Sequence, residues 1–538
     1  MTSSRADSTP TATGQTTTAG RRTPVLMIGI DAAEISLVRK WMHDGSLPNL
    51  RALRDRGAFG RLQSTARWLV GSPWPSFYTG TTPADHGMYH YLVWRQERMT
   101  HERPAPEWMP LQPFWRRIAA SDRKVVAIDV PLAYSPEPFP GIEISGWATH
   151  EILEPPASYP PELMDRVFRQ FGKPPFDNEE AQLIPAARLV AVRDQCVRTT
   201  ELVAELGVTL MREQPWDLFM IGFAATHRGG HQLWDRTSMR GKATAEQGRI
   251  IDGALRDVYV ACDAAAGRLI EQAGSEATVL VFSLHGMGPN ASRSDVLREM
   301  LARTLADRVE PQGTAVRKRL VDRLRMLVPI EWRSWVKTRL PIAVQDRLTL
   351  FWRTGGIDWQ RTRAFAAFCD LDGYVRINLR GREAEGIVEP GEEYVRLCDR
   401  ICEGLRTFVD EDTGVPVVEG VARIDELYPS GRMRAHLPDL MIRWSPHAAA
   451  AHRRIVSPQF GAIDWPTPGF HPQGRSGNHW PDGFVLAAGP HVRPGTKLEN
   501  AHIFDLMPTV YELLDLEVPA GLHGKSLLPD LDRSDDVS

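Results

Sequence analysis

Four stretches of the chain are dominated by apolar residues and end on polar ones: VLMIGID (25–31), KVVAIDVP (124–131), WDLFMIGF (216–223) and TVLVFSLHG (278–286). Short apolar runs of this kind, bordered by segments of helical periodicity, read as strands buried on both faces of a parallel sheet. The first feeds ISLVRKWMHDG (35–45), whose apolar spacing is that of an amphipathic helix. Strands alternating with helices predict an α/β fold, a doubly wound and mostly parallel sheet with helices on both faces. In such sheets ligands gather at the carboxyl ends of the strands. That rule singles out Asp31, the pair His227 and His231, and His285. A polar cluster, GRSGNHWPDG (474–483), precedes a fifth apolar run, FVLAAG (484–489), and adds His479.

Between the apolar runs the texture changes. Residues 317–347 carry nine Lys/Arg against three acids, with Trp332, Trp335, Pro329 and Pro341 interspersed. This predicts a basic helical insertion or lid over about 307–360, read either as a solvated surface or as a cover over an anionic substrate or a membrane-surface contact. GREAEGIVEPGEEYVRLCDRIC (381–402) combines a turn-rich loop with a helix start. Residues 1–22, rich in Ser, Thr and Gly and lacking an apolar signal-peptide core, read as a disordered tail. The expected division is therefore a tail (1–22), a first part of the core (23–306), the insertion (307–360) and a second part of the core (361–538).

Composition narrows the function classes. The 538 residues are 42% hydrophobic and 24% charged, enough to bury a large core. The 64 basic residues against 67 acidic ones give a net charge of −3, so no global field draws the chain to nucleic acid or membrane. No apolar run reaches transmembrane length. The five cysteines form no CxxC, which argues against a disulfide framework and a Cys-type zinc ribbon and predicts a reducing, cytoplasmic setting.

Each polar candidate has a bland alternative: Asp31 as a helix cap, His285 as a core histidine, and HxxxH as a chance spacing on a surface helix. Taken together they make a metal site. His227 and His231 lie one helical turn apart and face the same side, so both can reach one ion. Three imidazoles around a divalent cation, zinc foremost, leave an open position where water or a substrate oxygen is polarised.

Several spaced segments carry a family resemblance: GIDAAE (29–34), WPSFYTGTTPADHGMY (74–89), THRGGHQLW (226–234), FSLHGMG (282–288), GREAEGIV (381–388), SGNHWPDG (476–483) and LMPTVYELLDLEVPAGLHGKSL (506–527). In their order they resemble the alkaline phosphatase superfamily, and within it the type I phosphodiesterase/nucleotide pyrophosphatase branch. The resemblance implies an alkaline phosphatase-like core and a two-metal hydrolase, usually of zinc. One metal of such enzymes is held by the Asp and His of a DxxxH motif and a His near the C-terminus. The other is held by an Asp after the first strand, a Thr or Ser nucleophile, and the Asp-His of an SDHG motif.

Three positions depart from that pattern. His227 stands where DxxxH has its Asp, giving a neutral set of His227, His231 and His479. Leu284 stands where SDHG has its Asp, leaving Asp31 and His285 on the opposite side. Gapless alignment to the Thr79–Gly80 turn puts Val70 at the nucleophile position; Ser72, two residues on, takes the role if the loop is rearranged. Arg67 and Trp68 flank this stretch, read either as a grip for an anionic planar group or as a surface Arg and a core Trp. The expectation is a metal-dependent hydrolase of a small phosphate, phosphonate or sulfate ester, with one or two metals. Alternatives of the same fold are a repurposed metalloenzyme of lyase or isomerase type, and a non-catalytic binder of an anionic ligand.

Overall fold

The apolar runs become the middle of a nine-stranded sheet. Its order is Lys497–His502, Ala58–Gln63, Gly483–Ala488, Thr278–Ser283, Val25–Ile30, Leu218–Phe223, Val125–Ile128, Ile142–Ser145, Ala157–Tyr159. All but two strands run one way; Gly483–Ala488 and Ala157–Tyr159 are antiparallel to their neighbours. The computed structural model describes residues 23–149, 153–176, 182–306, 344, 357–369, 371–446 and 453–532. The expected N-terminal tail, and all of the basic insertion except Val344 and residues 357–360, lie outside the described residues.

Alternation along the central strands shows why the sheet is covered twice. Val25 and Met27 face one core, with Leu218, Met220, Leu280 and Phe282 beside them. Leu26, Ile28 and Ile30 face the other, with Phe219, Ile221, Val279 and Val281. The first core is closed by the helices Pro73–Thr79, Phe114–Ala119 and Leu506–Leu513, the second by the long helices Ala186–Glu213 and Ala245–Ala273. Each such aliphatic side chain contributes about 1.5–3 kcal/mol through burial, so a sheet apolar on both sides is stable only between two helical layers. The helix Ala245–Ala273 starts at a capping box, Thr244 with Gln247, which satisfies amide groups that a helix start leaves open. Among the described residues no helix is long and apolar enough to cross a membrane.

A smaller antiparallel sheet follows, in the order Ala364–Ala367, Gly373–Ile377, Leu440–Trp444, Val418–Arg423. It packs with the helices Ser294–Leu305 and Glu392–Arg406 around a third core. Glu392–Arg406 is the helix whose start the 381–402 segment announced. The turn between Ala364–Ala367 and Gly373–Ile377 reaches back toward the carboxyl ends of the large sheet, because Cys369, Leu371 and Asp372 line the same cavity as Asp31.

Candidate metal centre

The five residues picked out at strand ends converge. Asp31, His227, His231, His285 and His479 line one partly open cavity of about 30 Å³. Asp31 follows the central strand and is fixed from two sides: Thr226 Oγ1 donates to its carbonyl at 2.6 Å, and Trp74 Nε1 donates to its Oδ1 at 2.7 Å. Ala32, next in the chain, sits at φ +56°, a strained turn of the kind that gathers at functional sites. Helix Ala225–Leu233 is buried along its whole length and presents His227 and His231 one turn apart.

His479 arrives on the strand Gly477–Trp480, which pairs antiparallel with Gly286–Pro289 just after His285. That strand reaches the helix through Gly477, where a Cβ would lie 2.0 Å from the Gly230 carbonyl oxygen. No residue but glycine permits so close an approach. The Ser476 amide then donates to the His231 carbonyl at 2.7 Å, locking strand to helix.

The hydrogen bonds fix where the imidazole lone pairs point. His227 Nδ1 lies 2.9 Å from Asp31 Oδ2, and His231 Nδ1 lies 3.0 Å from the Gly477 carbonyl oxygen. Both partners only accept, so in neutral rings the protons sit on Nδ1 and each Nε2 carries a bare lone pair. Those two Nε2 atoms face each other at 3.0 Å. Two lone pairs that close repel unless a positive centre lies between them. Two nitrogens bound to one tetrahedral zinc lie about 3.3 Å apart, so a cation fits the spacing. Ligand atoms of His227, His285 and His479 also lie within 4.8 Å of one another. Among the described residues His479 Nδ1, a buried atom, has no hydrogen-bond partner, which is costly unless a bound species satisfies it. Burial holds the His285 imidazole below its ordinary pKa in spite of the attraction of Asp31. Burial first, then the three neighbouring imidazoles and Arg475, push His479 well below. Neutral rings are the form that binds metal.

The sequence divided these residues into two sets, and the structure joins them. Asp31 Oδ2 lies 2.9 Å from His227 Nδ1, and His285 Nε2 lies 3.7 Å from the other oxygen, so the residues of both sets form one contiguous cluster. Leu284 packs into the apolar core and offers no ligand.

Ser72 requires correction. Val70, Gly71, Pro73 and Trp74 line the cavity, and Ser72 does not. Its Oγ lies 2.6 Å from the Leu69 carbonyl, to which it donates, and 2.7 Å from Thr65 Oγ1, both inside the protein. The cause is local: Ser72 is the residue before helix Pro73–Thr79, and its αR backbone turns the side chain back onto the preceding turn. Arg67 is exposed and Trp68 lies under Arg443, and neither lines the cavity. Five polar lining residues escaped sequence reasoning: His90, Cys369, Asp372, Arg475 and Asn478. Arg475 and Asn478 stood inside the polar cluster already marked; the others lie in turns with no strand-end signal.

A family model described as type I phosphodiesterase / nucleotide pyrophosphatase matches residues 25–331. Among solved structures, phosphonoacetate hydrolase from Sinorhizobium meliloti in complex with phosphonoacetate is similar at 11% identity and a TM-score of 0.51. The match covers 91% of this chain and 95% of that one. Human ectonucleotide pyrophosphatase/phosphodiesterase 5 matches at 12% identity and a TM-score of 0.46, covering 95% of this chain and all of that one (100%). The likeness to the first supports the alkaline phosphatase-like fold. No curated protein matches the chain's sequence.

Proposed function

The chain belongs to the type I phosphodiesterase / nucleotide pyrophosphatase family, a family of hydrolases, and from that premise we propose that it hydrolyses a small phosphate, phosphonate or sulfate ester at one histidine-rich metal site, with water as the attacking group. The observation that carries this reading is the pair of Nε2 lone pairs of His227 and His231 meeting at 3.0 Å beside His285 and His479. These four imidazoles would hold the cation, and Asp31 would hold the His227 ring in the tautomer that leaves Nε2 open. A divalent metal bound there supplies Lewis acidity at the reacting oxygens.

The chain's own residues do the rest. Arg475, on the cavity wall, offers a guanidinium to the anionic group of the ester. Trp74, Pro131, Leu132 and Leu371 narrow the cavity and keep bulk water out. Val70 leaves the attacking position without a hydroxyl, and the Ser72 hydroxyl faces inward, which supports attack by water rather than a covalent intermediate. All five cysteines are buried and none is joined in a disulfide, which supports a reducing, cytoplasmic setting.

Val70 and Leu284 also favour a second reading, a metal enzyme of non-hydrolytic type, since lyase and isomerase steps need a Lewis acid and no nucleophilic side chain. Metal content of untagged protein, measured beside turnover of bis(4-nitrophenyl) phosphate, separates the two. The hydrolase reading expects one zinc per chain with turnover, and His231→Ala should lose both. Stoichiometric metal with no ester turnover would refute hydrolysis and leave the second reading. Full metal occupancy in His231→Ala would refute the site itself.

A further inference from the structure

A water that attacks must lose a proton, and the hydroxyl that would otherwise attack is missing. The smaller sheet supplies a group at that place. Tyr374, fully buried on the strand Gly373–Ile377, has its hydroxyl in two hydrogen bonds. It donates to Asp372 Oδ2 at 3.1 Å and accepts the backbone N–H of Val70 at 3.2 Å. One donor and one acceptor role are what a phenol hydroxyl can fill together. The Asp372 carboxylate is thereby fixed two hydrogen bonds from the amide of Val70. Both residues line the cavity that the histidines line.

Other groups nearby are committed elsewhere. Ser76 Oγ lies 2.9 Å from His86 Nε2, which has the look of an activated hydroxyl. The His86 Nδ1, however, accepts the Met88 amide at 3.0 Å. Its proton is therefore on Nε2 and is donated to Ser76, so His86 cannot serve as a base. Cys369 donates its thiol to the Asp372 carbonyl. His90 lines the cavity, with its Nδ1 3.1 Å from the Leu92 amide.

We propose that Asp372 is the catalytic base: its carboxylate takes the proton of the attacking water in the space beside Val70. This rests on the reading of the site as a hydrolase of anionic esters. In a phosphodiester, the water oxygen forms the new O–P bond while the bond from phosphorus to the leaving oxygen breaks. The water's proton passes to the Asp372 carboxylate. The leaving alkoxide takes a proton from solvent, and Asp372 releases its own to solvent before the next turnover. The smaller sheet thus contributes a reacting group, and Tyr374 positions it.

The test uses the zinc-loaded full chain and the variants Asp372→Asn and His90→Gln. Asparagine keeps an acceptor for the Tyr374 hydroxyl but cannot take a proton. Asp372→Asn should keep its metal and its KM for bis(4-nitrophenyl) phosphate while kcat falls by about 10²–10⁴-fold, the usual effect of a lost general base. Inorganic phosphate, titrated by calorimetry, should bind Asp372→Asn at least about fivefold more tightly, because a carboxylate facing the anion has been neutralised. That second readout does not depend on turnover. No turnover by the wild type would sink the hydrolase reading. Phosphate affinity unchanged in Asp372→Asn would sink the role of Asp372, as would a kcat loss in His90→Gln with none in Asp372→Asn.

Discussion

Replacing Asp31 by asparagine leaves one acceptor where two donors each require one. In the native site Trp74 Nε1 donates to Oδ1 at 2.7 Å and His227 Nδ1 donates to Oδ2 at 2.9 Å. An asparagine side chain has one carbonyl oxygen and one NH₂ group. If its oxygen serves Trp74, its NH₂ faces His227 Nδ1, and the ring must move its proton to Nε2, the atom that faces His231. The metal then loses a ligand unless the ring is forced back. If the oxygen serves His227, the NH₂ opposes the Trp74 N–H in a buried setting. Either way one hydrogen bond to a charged group is lost, about 1.5–3 kcal/mol. That agrees with the 10–100-fold fall in metal affinity typical when a group orienting a histidine ligand is removed, about 1.4–2.7 kcal/mol. Zinc affinity, measured by competition with a chromophoric chelator, should fall within that range in Asp31→Asn. Affinity within about twofold of wild type would refute the orienting role. Complete loss of binding would refute it from the other side, by making Asp31 a direct ligand.

Two further predictions follow from buried groups away from the metal. Ser72→Ala should leave turnover unchanged and lower the unfolding free energy by about 1–2 kcal/mol, since it deletes the hydrogen bond to Leu69; a kcat loss of about 10³-fold would restore Ser72 as the nucleophile. Asp129 accepts the Trp147 and Ala148 amides, yet burial pushes its carboxyl pKa up to about 7. Below about pH 4 folded and unfolded forms are both protonated; between about 4 and 7 only the unfolded form ionises, so stability falls as pH rises through that window and levels off above it. Urea unfolding at pH 5 and pH 8 should show a loss of about 2–3 kcal/mol that is absent in Asp129→Asn, whereas equal slopes for the two proteins would refute it.

The apolar runs made the large sheet legible because burial on both faces leaves no polar residue inside a strand. Leu218–Phe223 and Thr278–Ser283 appear where the sequence put them. The run at 484–489 was visible as an apolar segment, but its antiparallel direction was not: direction is set by what precedes it, here the strand Gly477–Trp480 and the short connection through Pro481 and Asp482. The smaller sheet escaped notice because its strands run only four to six residues, three of the four have mixed polarity, and its central pairing joins Gly373–Ile377 to Leu440–Trp444 across a long separation. At the site, strand ends and the HxxxH spacing singled out the five residues that the fold brings to one cavity, since both signals are local. Ser72 was misplaced because a side chain's direction at a helix start depends on backbone dihedrals that residue identity does not specify. Asp372 was invisible for a different reason: its meaning comes from Tyr374 and Val70, one near in sequence and one three hundred residues away.

The strand Gly483–Ala488 lies between Ala58–Gln63 and Thr278–Ser283, and that position sets a timetable for synthesis. As the chain leaves the ribosome, Asp31, His227, His231 and His285 emerge long before the strand that joins the early Ala58–Gln63 to the rest of the sheet. Until residue 488 has been made, Thr278–Ser283 has an open edge, and such edges invite pairing with other chains. The fourth imidazole, His479, is delivered by the residues that lead into this missing strand. Closing the sheet and completing the centre are therefore one late event. On the proposed reading, a nascent chain that captured a metal early would do so with an incomplete ligand set, and a full-affinity centre would report that the last fifth of the protein has folded into place.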